Sequence, residues 1–223
     1  MRLHLQRELE KLKQQILALS AEVEDDVRGA VRAMDERNHD MALDVINRED
    51  QTNTMEVDVE EECLKILALH QPVAADLRYI IAVLKINQDL ERIGDLAVHI
   101  AECSLCLCRL PELRMPFRLG DMADRAQSML KNVLDAFIKL DARAAHQVCA
   151  DDNEIDRMRS EIFDQVCRAI RREPEQLESL LQVMHIARHL ERIADHATNI
   201  AEDLIYLTDG RIVRHTPEVS DRL

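Results

Sequence analysis

Tryptophan is absent from the 223 residues, only 2 tyrosines and 3 phenylalanines are present, and glycine (4) and proline (5) are nearly as scarce. Glycine and proline punctuate turns, so a chain this poor in both has few connections and long elements. Leu, Ala, Ile, Val, Glu, Arg and Asp take their place, and the composition reads as all-α. So few glycines leave no Gly-rich phosphate loop, no Rossmann fingerprint and no nucleophile elbow, and no catalysis, phosphatase or nucleotide hydrolysis included, is expected. Basic excess is missing too: the net charge is −14, which argues against nucleic acid or a bare anionic membrane as partner and leaves cations and basic protein surfaces. No apolar run reaches transmembrane length, and the opening MRLHLQRELEKLKQQI is charged throughout, unlike a signal peptide. A soluble, cytoplasmic protein is expected. The 6 cysteines are irregularly spaced within helical patterns, which fits a reducing compartment and small apolar roles without disulfides.

What the chain does contain, it contains twice. LERIGDLAVHIAE at 90 to 102 returns as LERIADHATNIAE at 190 to 202, a shift of 100 that divides the chain into similar halves. The helical period splits the shared residues into two sets. Leu90, Ile93, Ala97 and Ile100, with Leu190, Ile193, Ala197 and Ile200, form core stripes. Glu91 and Asp95, like Glu191 and Asp195, lie four residues apart and project from one side of each helix.

Around these motifs six long helices are expected, arranged as two tandem, similar three-helix bundles. The apolar steps from Leu5 to Val31 predict a first helix over Leu3 to Arg37. A second, with Asp40 as its N-cap, runs to His70 and ends at Pro72, and a third starts at Pro72 and reaches Arg109. The first repeat therefore covers 1 to 110. PELRMPFRLG, 111 to 120, is the linker. The second repeat covers 121 to 210, with helices over Asp121 to Leu140 and Asp141 to Arg172, then a last one following Pro174 and ending near Gly210. Residues 211 to 223 read as a flexible tail.

The middle helices correspond as well: VINREDQTN at 45 to 53 lies over VCADDNEID at 148 to 156 at a shift of 103, matching Glu49 and Asn53 with Asp152 and Asp156. Each half thus offers oxygen-donor pairs on two neighbouring helices: Glu49, Asn53, Glu91 and Asp95 in the first, Asp152, Asp156, Glu191 and Asp195 in the second. Acidic pairs at this spacing are ordinary on surface helices, and Glu22/Asp26 and Glu56/Glu60 are read as such. Recurrence at matching positions points further. Carboxylates facing one another across a helix pair repel, and a di- or trivalent cation removes that penalty while gaining hard ligands. Iron, manganese, magnesium or calcium would suit. His99, His185, His189 or His196 could add a nitrogen and admit zinc. The second set carries one more charge and should hold metal more tightly. Arg92 and Arg192, beside the motif glutamates, read as helix-surface ion pairs or partner contacts, and Cys103, Cys106 and Cys108 as packing residues.

These residues resemble the PhoU family of phosphate-uptake regulators, through LERIGD at 90 to 95, LERIADH at 190 to 196, EECLKILALHQPVAADLR at 61 to 78 and NIAEDLIYLTDG at 199 to 210. The resemblance implies two three-helix bundles side by side, with metal clusters, iron foremost, held by Glu/Asp-x-x-x-Asp motifs that fall on Glu91/Asp95, Asp152/Asp156 and Glu191/Asp195. Asn53 departs from the pattern, which prefers Asp there, and weakens the first site. The resemblance further implies a cytoplasmic homodimer, peripheral to the inner membrane through its protein partners. Those partners would be the ATPase subunit of the phosphate ABC transporter and a sensor histidine kinase kept quiet when phosphate is plentiful.

Two other readings stay open. A ferritin-like di-iron protein needs Glu-x-x-His on each of two helices, and the chain offers only Glu36-Arg37-Asn38-His39. A metal-free helical scaffold explains the core stripes but not the recurring acids.

Overall fold

The structure is a computed structural model that describes residues 2–111, 113 and 118–210. It contains six long α-helices: α1 (Arg2–Asp35), α2 (His39–His70), α3 (Ala74–Arg109), α4 (Leu119–Lys139), α5 (Ala142–Arg172) and α6 (Leu177–Asp209). No strand occurs among the described residues. α1, α2 and α3 pack into one three-helix bundle, α4, α5 and α6 into another, and the bundles join where α3 lies along α6, with α1 also touching α4. The expected tail lies outside the described residues, as does half of the expected linker, whose last two residues, Leu119 and Gly120, open α4.

Each turn follows from local chemistry, and the two halves solve it alike. Arg37 and Leu140, related by the shift of 103, both take left-handed backbone (φ 48° and 53°) to end α1 and α4. The next residues, Asn38 and Asp141, cap α2 and α5 by accepting bonds from the amides of Asp40 and Met41 and of Arg143 and Ala144. Asp40 is therefore not the cap: Asn38 reaches the free amides first, and Asp40 sits inside the opening turn, where its charge favours the helix N-terminus. Pro72 stays outside α3, which begins at Ala74 after Val73 in extended backbone. Pro174 instead opens a 3-10 turn, Pro174–Gln176, that runs into α6. Glu36 to His39 spans the turn after α1, so the one Glu-x-x-His sequence is not on a helix face.

The predicted stripes form the core. Leu90, Ile93, Ala97 and Ile100 and their counterparts Leu190, Ile193, Ala197 and Ile200 have no solvent exposure. Close approach matters at Gly29, where an added Cβ would stand 2.9 Å from Val45 Cγ2. It matters again at Gly94, where the corresponding gap to Thr52 Cγ2 is 3.3 Å. Both glycines let α2 lie tightly on its neighbours. The α1–α2 turn is fastened to the end of α3 by the Arg37 guanidinium, which donates to the carbonyls of Leu107 and Leu110.

Candidate functional site: paired carboxylate faces

In the second half, α5 and α6 bring the four expected carboxylates together. Asp152 is pushed up to about 6, first by burial, then by the charges of Asp195 and Asp156; the Thr198 hydroxyl pulls the other way, and Glu191 adds a further upward push. Its Oδ1 is buried with no hydrogen-bond partner. Asp195 is raised by burial and by Asp156, with His196 and Arg192 opposing. Glu191 is raised by burial, while Arg159, whose Nε lies 3.8 Å from Glu191 Oε2, opposes that shift. Burial and mutual repulsion thus disfavour the ionised forms of Asp152, Asp195 and Glu191. Cys149 lies at its edge, its thiol pushed up to about 12 by burial, Glu202 and Asp152.

The first half is built differently. Glu91 and Asp95 face out from α3 with Arg92 bridging them, Nε 3.3 Å from Glu91 Oε2 and Nη1 3.5 Å from Asp95 Oδ2. Burial and Asp95 raise Glu91, and Arg92 and His196 oppose. On α2, Glu49 is half-buried and Asn53 exposed. The side chain wedged against α3 is Thr52, beside Gly94; Asn53, one residue on, is rotated about 100° round the helix.

Glu56 faces Glu91 instead. Its carboxyl is raised by burial, by Glu60 and by Glu91, and it accepts a 2.8 Å bond from Asn87 Nδ2. Reading Glu56 as half of an ordinary surface pair is thus corrected: burial and Glu91 both act on it. The signal was available, since the shift of 103 lays Glu56 over Arg159, the residue that meets Glu191. One half sets an acid against its motif glutamate where the other sets a base. The companion reading of Glu22/Asp26 also fails for Asp26, which is buried, 3.0 Å from Arg48 Nη2 and 3.0 Å from the Thr52 hydroxyl that donates to it.

Among the described residues, no three His, Cys, Asp or Glu side chains stand close enough round one point to form a finished ligand cage. The faces are open carboxylate surfaces. Their donors are hard oxygens, and the buried, unpartnered Asp152 Oδ1 fits a hard cation that would complete its coordination. His196 is engaged elsewhere, its Nδ1 2.8 Å from Asp89 Oδ1 across the seam between α3 and α6. Arg92 makes the ion pairs expected of it; Arg192 acts on Asp195 only through its charge. All six cysteines are free thiols; Cys103 is buried, as packing requires, but Cys106 is exposed, which corrects its reading as a packing residue. No helix among the described residues is long and apolar enough to cross a membrane.

Fold and faces together define a class: a duplicated three-helix-bundle protein with acidic faces repeated on its paired helices. The PhoU domain family model matches the chain twice, over residues 16–104 and 119–204. The chain belongs to the PhoU family. It is 39% identical over 209 residues to the phosphate-specific transport system accessory protein PhoU homolog of Pseudomonas putida, covering 93% of this chain and 82% of that one. The PhoU protein of Escherichia coli is 32% identical over 210 residues, covering 93% and 86%. The crystal structure of PhoU from Pseudomonas aeruginosa superposes with a TM-score of 0.90 at 37% identity, covering 92% of this chain and 99% of that one. The phosphate transport system regulatory protein PhoU of Streptococcus pneumoniae gives 0.86 at 31%, covering 94% and 99%.

Proposed function

We propose that this protein is a cytoplasmic regulator of phosphate uptake and a negative regulator of phosphate-starvation signalling. It acts as a metal-binding adaptor, without catalytic activity, between the ATPase subunit of the phosphate ABC transporter and a sensor histidine kinase, and works as a homodimer. The observation that carries the metal part is the second-half face, where the half-buried Asp152 keeps one buried carboxylate oxygen without a hydrogen-bond partner among Asp156, Asp195 and Glu191. Such a group costs free energy until a cation neutralises it. Asp152, Asp156, Glu191 and Asp195 would hold one metal group, with iron the first candidate and manganese, zinc or magnesium the alternatives. Glu91 and Asp95, with Glu49, Asn53 and Glu56 on α2, would hold a weaker one. The relatives' printed names, accessory and regulatory proteins of phosphate transport, support the regulatory part.

The test is elemental analysis of protein purified without chelator or metal-affinity chromatography. It is compared with a variant carrying Glu91→Gln, Asp95→Asn, Glu191→Gln and Asp195→Asn. Stoichiometric metal in the wild type, lost in the variant, is the expected result, and capture of the transporter ATPase and the kinase is then measured with and without that metal. Wild-type protein that stays metal-free after titration would leave the faces as plain acidic docking surfaces on a helical scaffold.

A further inference from the structure

The seam between α3 and α6 is antiparallel, and the repeat relates its two ends. At one end acids and bases close it: Lys85 Nζ donates to the buried Asp203 at 3.1 Å, while Asp89 Oδ1 meets His196 Nδ1 at 2.8 Å and accepts from Asn199 Nδ2 at 3.3 Å. The shift of 100 carries Lys85 to His185, Asp89 to His189 and Asn199 to His99, and Asp203 has Cys103 as its counterpart. The second end has therefore lost both carboxylates. His99 stacks on His189 with ring centroids 5.3 Å apart, and His185 lies 6.5 Å from His189.

Arg188 and Arg192 extend this cluster. His185, Arg188, His189 and Arg192 fall at the three- and four-residue steps of one helix face. Both guanidiniums are exposed, and neither closes an ion pair among the described residues, although their charges reach Glu191 and Asp195 on the adjoining face. His189 Nδ1 is buried with no hydrogen-bond partner.

We infer that this face, His185, Arg188, His189 and Arg192 on α6 with His99 on α3, is a docking surface for an acidic segment of a partner protein. The inference deepens the adaptor reading, on which it rests for the existence of a partner. Charge complementarity identifies the occupant. The stripe runs over eight residues, seven steps or about 10 Å of helix, which matches carboxylates spread over two turns of a partner helix. A bilayer or a nucleic acid duplex would also meet the surrounding surface of a chain with net charge −14. A short segment meets far less of that surface, because charges beyond about 8 Å are screened at physiological salt, and it competes for the two guanidiniums only with the neighbouring Glu191 and Asp195.

The probe is a soluble helical peptide with glutamates at three- and four-residue spacing over two turns, titrated into full-length protein carrying labelled histidine rings. Controls are its glutamine counterpart and inorganic phosphate at equal ionic strength. We expect the glutamate peptide to shift the rings of His99, His185 and His189 saturably, with affinity falling as salt rises. Arg188→Gln with Arg192→Gln should weaken it at least tenfold at unchanged melting temperature. If that pair fails to fold, the wild-type titration decides alone. Absent ring shifts, or equal shifts with the glutamine peptide, would overturn the inference; equal shifts with phosphate would make this a small-anion site and overturn it too. Metal content is measured on the same sample. Lost docking with metal retained sinks only this inference, and docking by metal-free protein sinks only the metal reading.

Discussion

Asp152→Asn changes one oxygen for an amide and should move stability and metal binding in opposite directions. Burial and the neighbouring acids push the folded carboxyl up to about 6, against 3.8 for a free aspartate side chain. A raised folded pKa means that the native state holds its proton more tightly than the unfolded chain does. The protonated native state is favoured below pH 3.8, and the advantage is lost as pH rises through about 6. At pH 7 the metal-free wild type therefore carries a penalty. At 1.36 kcal/mol per pH unit, the shift corresponds to about 3 kcal/mol, and relaxation and partial solvation leave about 1–3 kcal/mol. The amide cannot ionise, so metal-free Asp152→Asn should be more stable than metal-free wild type by that amount at pH 7. Near pH 4 the two should be almost equal. Removing the charge also removes its repulsion with Asp195, Asp156 and Glu191.

The assay is urea denaturation followed by circular dichroism at pH 4, 5.5 and 7, in chelator and again after metal loading. Without metal the gap should open with pH; with metal it should close or reverse, because the variant has lost a ligand while the wild type gains binding free energy. A variant less stable than wild type at pH 7 in chelator would refute the reasoning, since it would show the ionised carboxylate to be satisfied. A gap independent of pH would refute it equally.

Leu190→Ala or Ile193→Ala, at positions with no solvent exposure, should each cost about 2–4 kcal/mol in the same denaturation experiment, with metal content little changed. Gly29→Ala gains up to about 1 kcal/mol of helix propensity but drives a methyl to 2.9 Å from Val45; net destabilisation of about 1–2 kcal/mol, read as a lower urea midpoint, is expected. Asp89→Ala leaves His196 Nδ1 and Asn199 Nδ2 without their acceptor across the seam and should cost about 1–3 kcal/mol, with faster hydrogen exchange in α3 and α6. Glu56→Gln removes the carboxylate that faces Glu91 and should lower metal occupancy in the first half while leaving the second unchanged.

The fold was readable because long helices obey one period and the chain writes it twice. Arg109, Arg172 and Gly210 fell at or within one residue of the ends anticipated for them, each fixed by a proline, a glycine or the end of an apolar stripe. The second carboxylate face was readable for the same reason, since all four donors lie at repeat positions. Glu56 and Asp26 escaped because sequence spacing locates a residue round its own helix but does not say which neighbour that side of the helix meets. Asn38 escaped for a smaller reason: Asn38 and Asp40, two residues apart, both suit a helix start, and only the backbone turn at Arg37 chooses between them.

The duplication also shows where the halves diverged and what that divergence can do. Core positions kept their apolar character, because each bundle must still fill its own interior. Charged positions facing another helix changed character: Glu56 stands where the second half has the oppositely charged Arg159, and the Asp89 carboxylate where it has the imidazole of His189. Such changes on a conserved backbone leave geometry alone while altering which ions and surfaces are attracted. A symmetric molecule would present one kind of face twice. This chain presents an acid-rich face backed by Arg159, another whose glutamate meets a second acid, and a stripe of histidines and arginines, three unlike surfaces on one duplicated frame that ions and surfaces of different charge would meet differently.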